Sequence, residues 1–372
     1  MTPKSLYLGL MSGTSLDGVD AVLVDLADGA AGLKVLAHRH QAMPAALHAA
    51  LSALNHSGGD ELHRAALAAN AVADLYADAA LALLADSGID APQVQAIGAH
   101  GQTVRHRPGE FDGRGYSVQL LNGALLAERC GIDVVCDFRS RDLAAGGQGA
   151  PLVPAVHAAL FHRPGVAQAV LNLGGIANLS LLHADGRVGG FDCGPANALL
   201  DLWAQRHLCA SFDADGAWAA SGQVDAALLS ALLAEPFFDR APPKSTGRDL
   251  FHADWLASHL SGCAASVQDV QATLAELTAR SAADALQRHL PAATRLLVCG
   301  GGALNSHLMR RLQALLPGLA VASTDVEGLP PMQVEAVAFA WLAKAHLARR
   351  PGNLPEVTGA SGLRVLGALY PA

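Results

Sequence analysis

The chain has 372 residues, more than one ordinary core carries, so two domains are expected. Its net charge of −8, pI near 6.0 and lack of any basic run argue against a nucleic-acid partner. Hydrophobic residues make up 51% and the mean hydropathy is +0.28, values of a well-buried globular protein whose apolar count leans on helix-favouring alanine.

The N-terminus carries one lysine and then enters an apolar run, Ser5 to Leu10, so no signal peptide is expected. That run meets the polar turn Gly9-Leu10-Met11-Ser12-Gly13-Thr14-Ser15-Leu16-Asp17-Gly18-Val19-Asp20 and then a second apolar run, Ala21 to Asp25, which reads as strand, turn, strand. A further strand is expected near Leu33 to His38. Helices follow at Leu47–Leu54 and Glu61–Ala85, with Asp60 a cap and Gly88 a stop signal. The most apolar window, 65–85, is broken by Asn70, Asp74 and Asp78, and reads as a core helix in place of a membrane span. Gln95–Ala99 reads as a strand ending at His100-Gly101-Gln102-Thr103, Leu120–Cys130 as a helix and Asp133–Cys136 as a buried strand.

After Gly146-Gly147-Gln148-Gly149-Ala150-Pro151 the pattern restarts. Ala167–Leu173 is a strand, Gly174-Gly175 a turn, Asn178–Leu182 a strand, and another strand ends at Phe191. Each half therefore opens strand, glycine turn, strand, a weak internal duplication. Helices are expected at Ala196–His207, Gln223–Ala234 and Ala272–His289. The strand Arg295–Cys299 closes on Gly300-Gly301-Gly302 before a helix, Asn305–Leu316, and a last helix runs over Val334–Ala348. The pattern predicts an α/β protein of two domains, 1–140 and 141–350, with the tail 351–372 packing back on the first.

Three glycine turns, each after an apolar strand, could converge on one nucleotide: 13–20 with its hydroxyls and aspartates, Gly174-Gly175, and Gly300-Gly301-Gly302. Any one of them could equally be a hairpin or helix cap. Neither a P-loop nor a dinucleotide fingerprint is present. Asp17 is a carboxylate that could hold a hydrated Mg²⁺.

Asp192, in Gly190-Phe191-Asp192-Cys193-Gly194-Pro195-Ala196-Asn197, lies where a strand ends and a helix opens, with Pro195 suited to the first helical position. It could serve as a general base or merely as the helix cap. His100, Gln102 and Thr103 offer donors and acceptors to sugar hydroxyls, against a structural role for the histidine. Arg139 could bind a carboxylate bidentately or form an interdomain ion pair. Lys244-Ser245-Thr246-Gly247-Arg248-Asp249 is either a lid over phosphates or a surface loop. Glu335 gains from the helix terminus at which it stands. Sixteen histidines with no H-x-x-x-H spacing make a protein-built zinc site unexpected, and six scattered cysteines read as reduced cytoplasmic thiols, with no feature supporting Cys193 as a nucleophile.

Met11–Asp20, Gly98–Val104, Asp137-Phe138-Arg139, Gly146–Pro154, Asn172–Asn178, Phe191–Asn197, Lys244–Asp249 and Gly300–Asn305, in this order, resemble the anhydro-N-acetylmuramic acid kinase family. The resemblance implies a two-domain ribonuclease H-like (actin-like ATPase) fold with ATP in an interdomain cleft. The reaction it implies converts 1,6-anhydro-N-acetylmuramic acid, water and ATP to N-acetylmuramic acid 6-phosphate and ADP, in bacterial cell-wall recycling. It implies that residues 13–20 hold ATP phosphates and Mg²⁺, that Asp192 is the catalytic base, and that Glu335 helps hold sugar or water. Arg139 is then a candidate for the lactyl carboxylate, and Asn197 joins His100, Gln102 and Thr103 as a sugar-site residue. A homodimer is compatible with it. Departures are Cys193 and Ala196, where the family has Thr and Gly, and Met332 and Gln333, where acidic residues are expected. The alternatives are a kinase of the same fold that phosphorylates another sugar without hydrolysis, and an ATP-switched binding module.

Overall fold

The computed structural model describes residues 5–26, 33–247 and 250–372. The chain forms two compact units, residues 1–160 with 333–372, and residues 161–332.

In the first unit the strands are β1 (Leu6–Met11), β2 (Gly18–Leu26), β3 (Leu33–Ala42), β4 (Val94–Ala99), β5 (Gln102–Pro108), β6 (Gly115–Leu120), β7 (Val134–Cys136) and, from the C-terminal tail, β13 (Ala368–Tyr370). β1, β2 and β3 form an antiparallel meander, and β4 and β7 add in parallel on the other side of β1. β13 closes that edge antiparallel to β7, so the tail packs on the first half. Side chains alternate across β1. Leu6, Leu8 and Leu10 enter a core with Val72, Tyr76 and Leu83 of the long helix Glu61–Ser87. From the opposite face, Gly9 of β1 and Gly98 of β4 meet the helix Val334–Leu347. A Cβ at either glycine would collide with a carbonyl oxygen of that helix, Ala336 at Gly9 and Phe339 at Gly98, so backbone packs on backbone there. The helix Glu61–Ser87 is long and apolar enough to cross a membrane, yet 56% of its most apolar window is buried, as in a core helix.

The second unit contains β8 (Gln168–Leu173), β9 (Ile176–Leu182), β10 (Val188–Pro195), β11 (Arg295–Cys299) and β12 (Ala320–Ser323). β8, β9 and β10 form an antiparallel meander, while β11 and β12 add in parallel beside β8. Counted within each sheet and leaving out the edge strand β13, both have the order third, second, first, fourth, fifth, with the second strand reversed, which is the ribonuclease H-like arrangement. The duplication faint in the residues is complete in the topology. Leu171, Leu179, Phe191 and Val298 form a core with Ala279, Ala282 and Leu286 of the helix Val267–His289 and Leu308 and Leu312 of the helix Ser306–Leu315.

Three local expectations are corrected. Pro195 ends β10 and does not start a helix; the helix runs Asn197–Leu208. Cross-strand pairing of Gly194 with Ala177 and Pro195 with Ile176, after a bulge at 192–194, carries the strand past Phe191. The helix expected from Leu120 starts at Gly123, because Leu120 is paired with Gln102 in the β5–β6 hairpin. That hairpin also makes Gln102 and Thr103 strand residues.

Candidate functional site

The first glycine turn is the connection between β1 and β2, whose last pair is Met11 with Asp20. Gly18, Val19 and Asp20 belong to β2, opposite Ala42, Gln41 and His40, so the turn proper is 12–17. Leu16 takes φ 59° and is buried, while Thr14, Ser15 and Asp17 are exposed. The one left-handed residue therefore turns its apolar side chain inward and leaves the polar ones outward. Ser15 Oγ donates to Asp17 Oδ1 at 2.9 Å. Asp20 instead sits against His38 Nε2 (3.0 Å) and His40 Nδ1 (3.2 Å). Gly18 has to be glycine because a Cβ would strike the Gln41 carbonyl of β3. Among the described residues no three His, Cys, Asp or Glu side chains cluster to hold a metal. An exposed Asp17 in a hydroxyl-bearing turn fits Mg²⁺, which keeps most of its waters and phosphate oxygens.

Behind the turn, Ser12 Oγ is hydrogen-bonded to the Tyr76 hydroxyl at 2.7 Å, and Gln102 Nε2 donates to the Gly13 carbonyl at 3.0 Å. Gln102 is fully buried and braces the turn. Thr103 Oγ1 accepts from Gln119 Nε2 at 3.1 Å.

His100 is buried with its ring 4.7 Å from that of Phe339. Arg139 Nη2 contacts His100 Nε2 at 2.9 Å, and Nη1 donates to the Gly149 carbonyl at 2.7 Å. Arginine only donates, so His100 Nε2 accepts and the ring carries its proton on Nδ1. Burial first, and then the Arg139 charge, push the His100 pKa down to about 3, so the ring stays neutral. The Ser12 and Gly101 carbonyls oppose that shift, but among the described residues no atom meets Nδ1 at hydrogen-bond geometry. His106 is likewise pushed down to about 4 by burial and then by Arg139.

In the second unit the other two glycine turns abut. Gly300, at φ 77°, lies so close to β8 that a Cβ would stand 2.5 Å from Asn172 Oδ1, and at Gly302 one would stand 2.5 Å from Leu173 Cβ. Asn197 Nδ2 donates to the Leu173 carbonyl at 2.9 Å, and its backbone N–H donates to the Gly174 carbonyl. A Cβ on Gly301 would come within 3.5 Å of Asn197 Nδ2. The fold thus gathers Gly174-Gly175, Gly300–Gly302 and Asn197, while residues 13–17, His100 and Arg139 are gathered in the first unit.

Asp192 is half-buried at the β10 bulge, opposite Asn178. Its Oδ2 accepts the Thr246 N–H at 2.9 Å, and its own N–H donates to the Lys244 carbonyl at 3.1 Å. The loop bearing Lys244 is therefore stitched to Asp192; Arg248 and Asp249 lie outside the described residues. Asp192 is not the cap of the helix Asn197–Leu208, whose N-cap is Ala196. Lys244 is buried and donates to the Phe237 and Phe238 carbonyls, 3.1 Å each. Burial pushes the Cys193 thiol up, with the Asp192 charge adding to it, and Sγ faces the Ala177 carbonyl inside the core, so it is no nucleophile. Glu335 stands in the first turn of the helix Val334–Leu347, in the first unit.

Sequence reasoning passed over Ser12–Tyr76 and the buried Asp142, which bonds Asn353 and Thr358 of the tail. No local pattern marks partners more than 200 residues apart.

A family model described as anhydro-N-acetylmuramic acid kinase matches residues 5–372. The chain is 61% identical over 373 residues to the anhydro-N-acetylmuramic acid kinase of Variovorax paradoxus (strain S110), covering 99% of each chain. The protein of that name from Cupriavidus pinatubonensis (strain JMP 134 / LMG 1197) is 58% identical over 98% of each. The one from Bordetella petrii (strain ATCC BAA-461 / DSM 12804 / CCUG 43448) is 60% identical over 100% of this chain and 97% of its own.

Proposed function

The chain belongs to the anhydro-N-acetylmuramic acid kinase family, and from that we propose that it phosphorylates 1,6-anhydro-N-acetylmuramic acid with hydrolytic opening of the 1,6-anhydro ring. The products are N-acetylmuramic acid 6-phosphate and ADP, in cytoplasmic recycling of cell-wall sugar. The observation that carries this reading is Asp192. A half-buried carboxylate, fixed by the Thr246 N–H, stands two strands from β8, whose end the turns Gly174-Gly175 and Gly300–Gly302 enclose.

Asp192 takes a proton from water as its oxygen attacks the anomeric carbon, and the C1–O6 bond breaks. O6 then attacks the γ-phosphorus in line, and ADP leaves. Backbone N–H groups of residues 13–17 in the first unit bind nucleotide phosphates, and those of Gly174, Gly175 and Gly300–Gly302 are the nucleotide ligands of the second unit. Asp17 holds Mg²⁺, which when bound neutralises phosphate charge. In the first unit neutral His100 and Thr103 orient the sugar, Glu335 holds sugar or water, and the Arg139 fork binds the lactyl carboxylate; Asn197 is the sugar ligand of the second unit.

A coupled ADP assay with the purified chain tests this, run in ¹⁸O-labelled water. ADP release that depends on the anhydro sugar, with label at C1 and none in the phosphate ester, is expected. ADP release with a free hexose and none with the anhydro sugar would assign phosphorylation without hydrolysis. ATPase activity indifferent to any amino sugar would assign a nucleotide-switched binding module.

A further inference from the structure

We infer that the C-terminal segment 353–358 positions the Arg139–His100 pair, acting through the buried carboxylate of Asp142. The inference rests on the proposed reading of Arg139 as a substrate-binding residue. Asp142 is fully buried. Its Oδ1 accepts from Asn353 Nδ2 at 2.7 Å and from Thr358 Oγ1 at 2.8 Å, while Oδ2 accepts the Gly149 N–H at 2.8 Å. The peptide oxygen of Gly149 in turn accepts from Arg139 Nη1 at 2.7 Å, and Nη2 reaches His100. One unbroken chain of hydrogen bonds thus runs from the tail to the guanidinium.

Backbone contacts run beside it. Gln148 N–H donates to the Thr358 carbonyl and Ser361 N–H to the Ala145 carbonyl, both at 2.8 Å. Gly147 leaves room for the carboxylate, since a Cβ there would collide with Asp142 Oδ2.

A buried carboxylate is tolerated only when donors saturate it, and three donors from two distant segments fix where it sits. Gly149, at φ 68° and held by its N–H on Asp142, presents its carbonyl to Arg139 Nη1. A guanidinium binds a carboxylate bidentately only when its plane is aligned, so two anchored nitrogens set the angle at which Arg139 meets an acidic ligand. Asn353 and Thr358 are positioning residues in this scheme; they touch no substrate.

The test is a double-mutant cycle in the full-length enzyme with Thr358→Val and Arg139→Ala, and Thr358→Ser as the conservative variant. KM is measured for 1,6-anhydro-N-acetylmuramic acid and for ATP. Thr358→Val should raise the sugar KM about tenfold, the effect of one lost hydrogen bond to a charged group, and leave the ATP KM within about twofold. Thr358→Ser should restore the sugar KM. In the Arg139→Ala background, adding Thr358→Val should change the sugar KM by less than about twofold. A sugar KM unmoved by Thr358→Val, or effects that simply multiply, would overturn the inference while leaving the role of Arg139 intact. An Arg139→Ala enzyme with the wild-type sugar KM would overturn that role and the inference together. Should Thr358→Val be insoluble, Asn353→Ala removes the other donor to the same oxygen and carries the same cycle.

Discussion

Asp192 keeps its carboxylate at the β10 bulge by accepting the Thr246 N–H, a bond that an amide oxygen can also accept. Asp192→Asn therefore preserves the local geometry and removes the proton acceptor. Turnover of the anhydro sugar should fall by about 10²- to 10⁴-fold with the melting temperature little changed; turnover within about tenfold of wild type would show that the base lies elsewhere. Lys244 anchors the same loop from beneath. Lys244→Met keeps the stem and loses two charge-assisted bonds to carbonyls, so unfolding free energy should drop by about 1–3 kcal/mol in a urea titration. At this scale the sequence singled out Asp192, the glycine turns and His100 as candidates, each against a structural alternative: a helix cap, a hairpin or a buried histidine. It could not separate base from cap at Asp192. The structure excludes the cap, because β10 continues to Pro195 by pairing with β9 and the helix is capped at Ala196.

Among the elements, those with a strong apolar period were legible: β1, β2, β8, β11 and the helices Glu61–Ser87 and Val334–Leu347. The hairpin β5–β6 and the short strands β12 and β13 were not. β13 has three exposed residues, which pair with the edge of β7. Gly9 and Gly98 show a constraint of the same kind. Gly98→Ala would drive a methyl group into the Phe339 carbonyl and push the helix off the sheet. The variant should lose more than about 3 kcal/mol of stability or fail to fold, as read by thermal unfolding; near-native stability would mean that the helix can shift at little cost.

For the whole molecule, buried histidines set the response to acid. Burial, aided at His100 and His106 by the Arg139 charge, holds His100 and His157 down to about 3 and His106 to about 4. Unfolded, these rings take up protons below about pH 6.5, whereas in the folded chain they stay neutral until pH 4 or lower. The unfolded state binds more protons in that window, so stability falls as pH drops from about 6.5 towards 4, by about 1.4 kcal/mol per pH unit for each ring. Denaturant titrations at a series of pH values read the slope directly; equal stability at both ends of the window would refute it.

The sequence by itself determined the family, the α/β class and the two glycine-turn halves, because strands, turns and their polar residues are written locally. Only the tertiary structure decided that the helix Val334–Leu347, with Glu335, joins the first sheet, and that Asp142 gathers Asn353 and Thr358 under Arg139. Those decisions rest on close backbone approach and on saturating a buried charge, which link residues about 200 or more positions apart and leave no periodic trace along the chain.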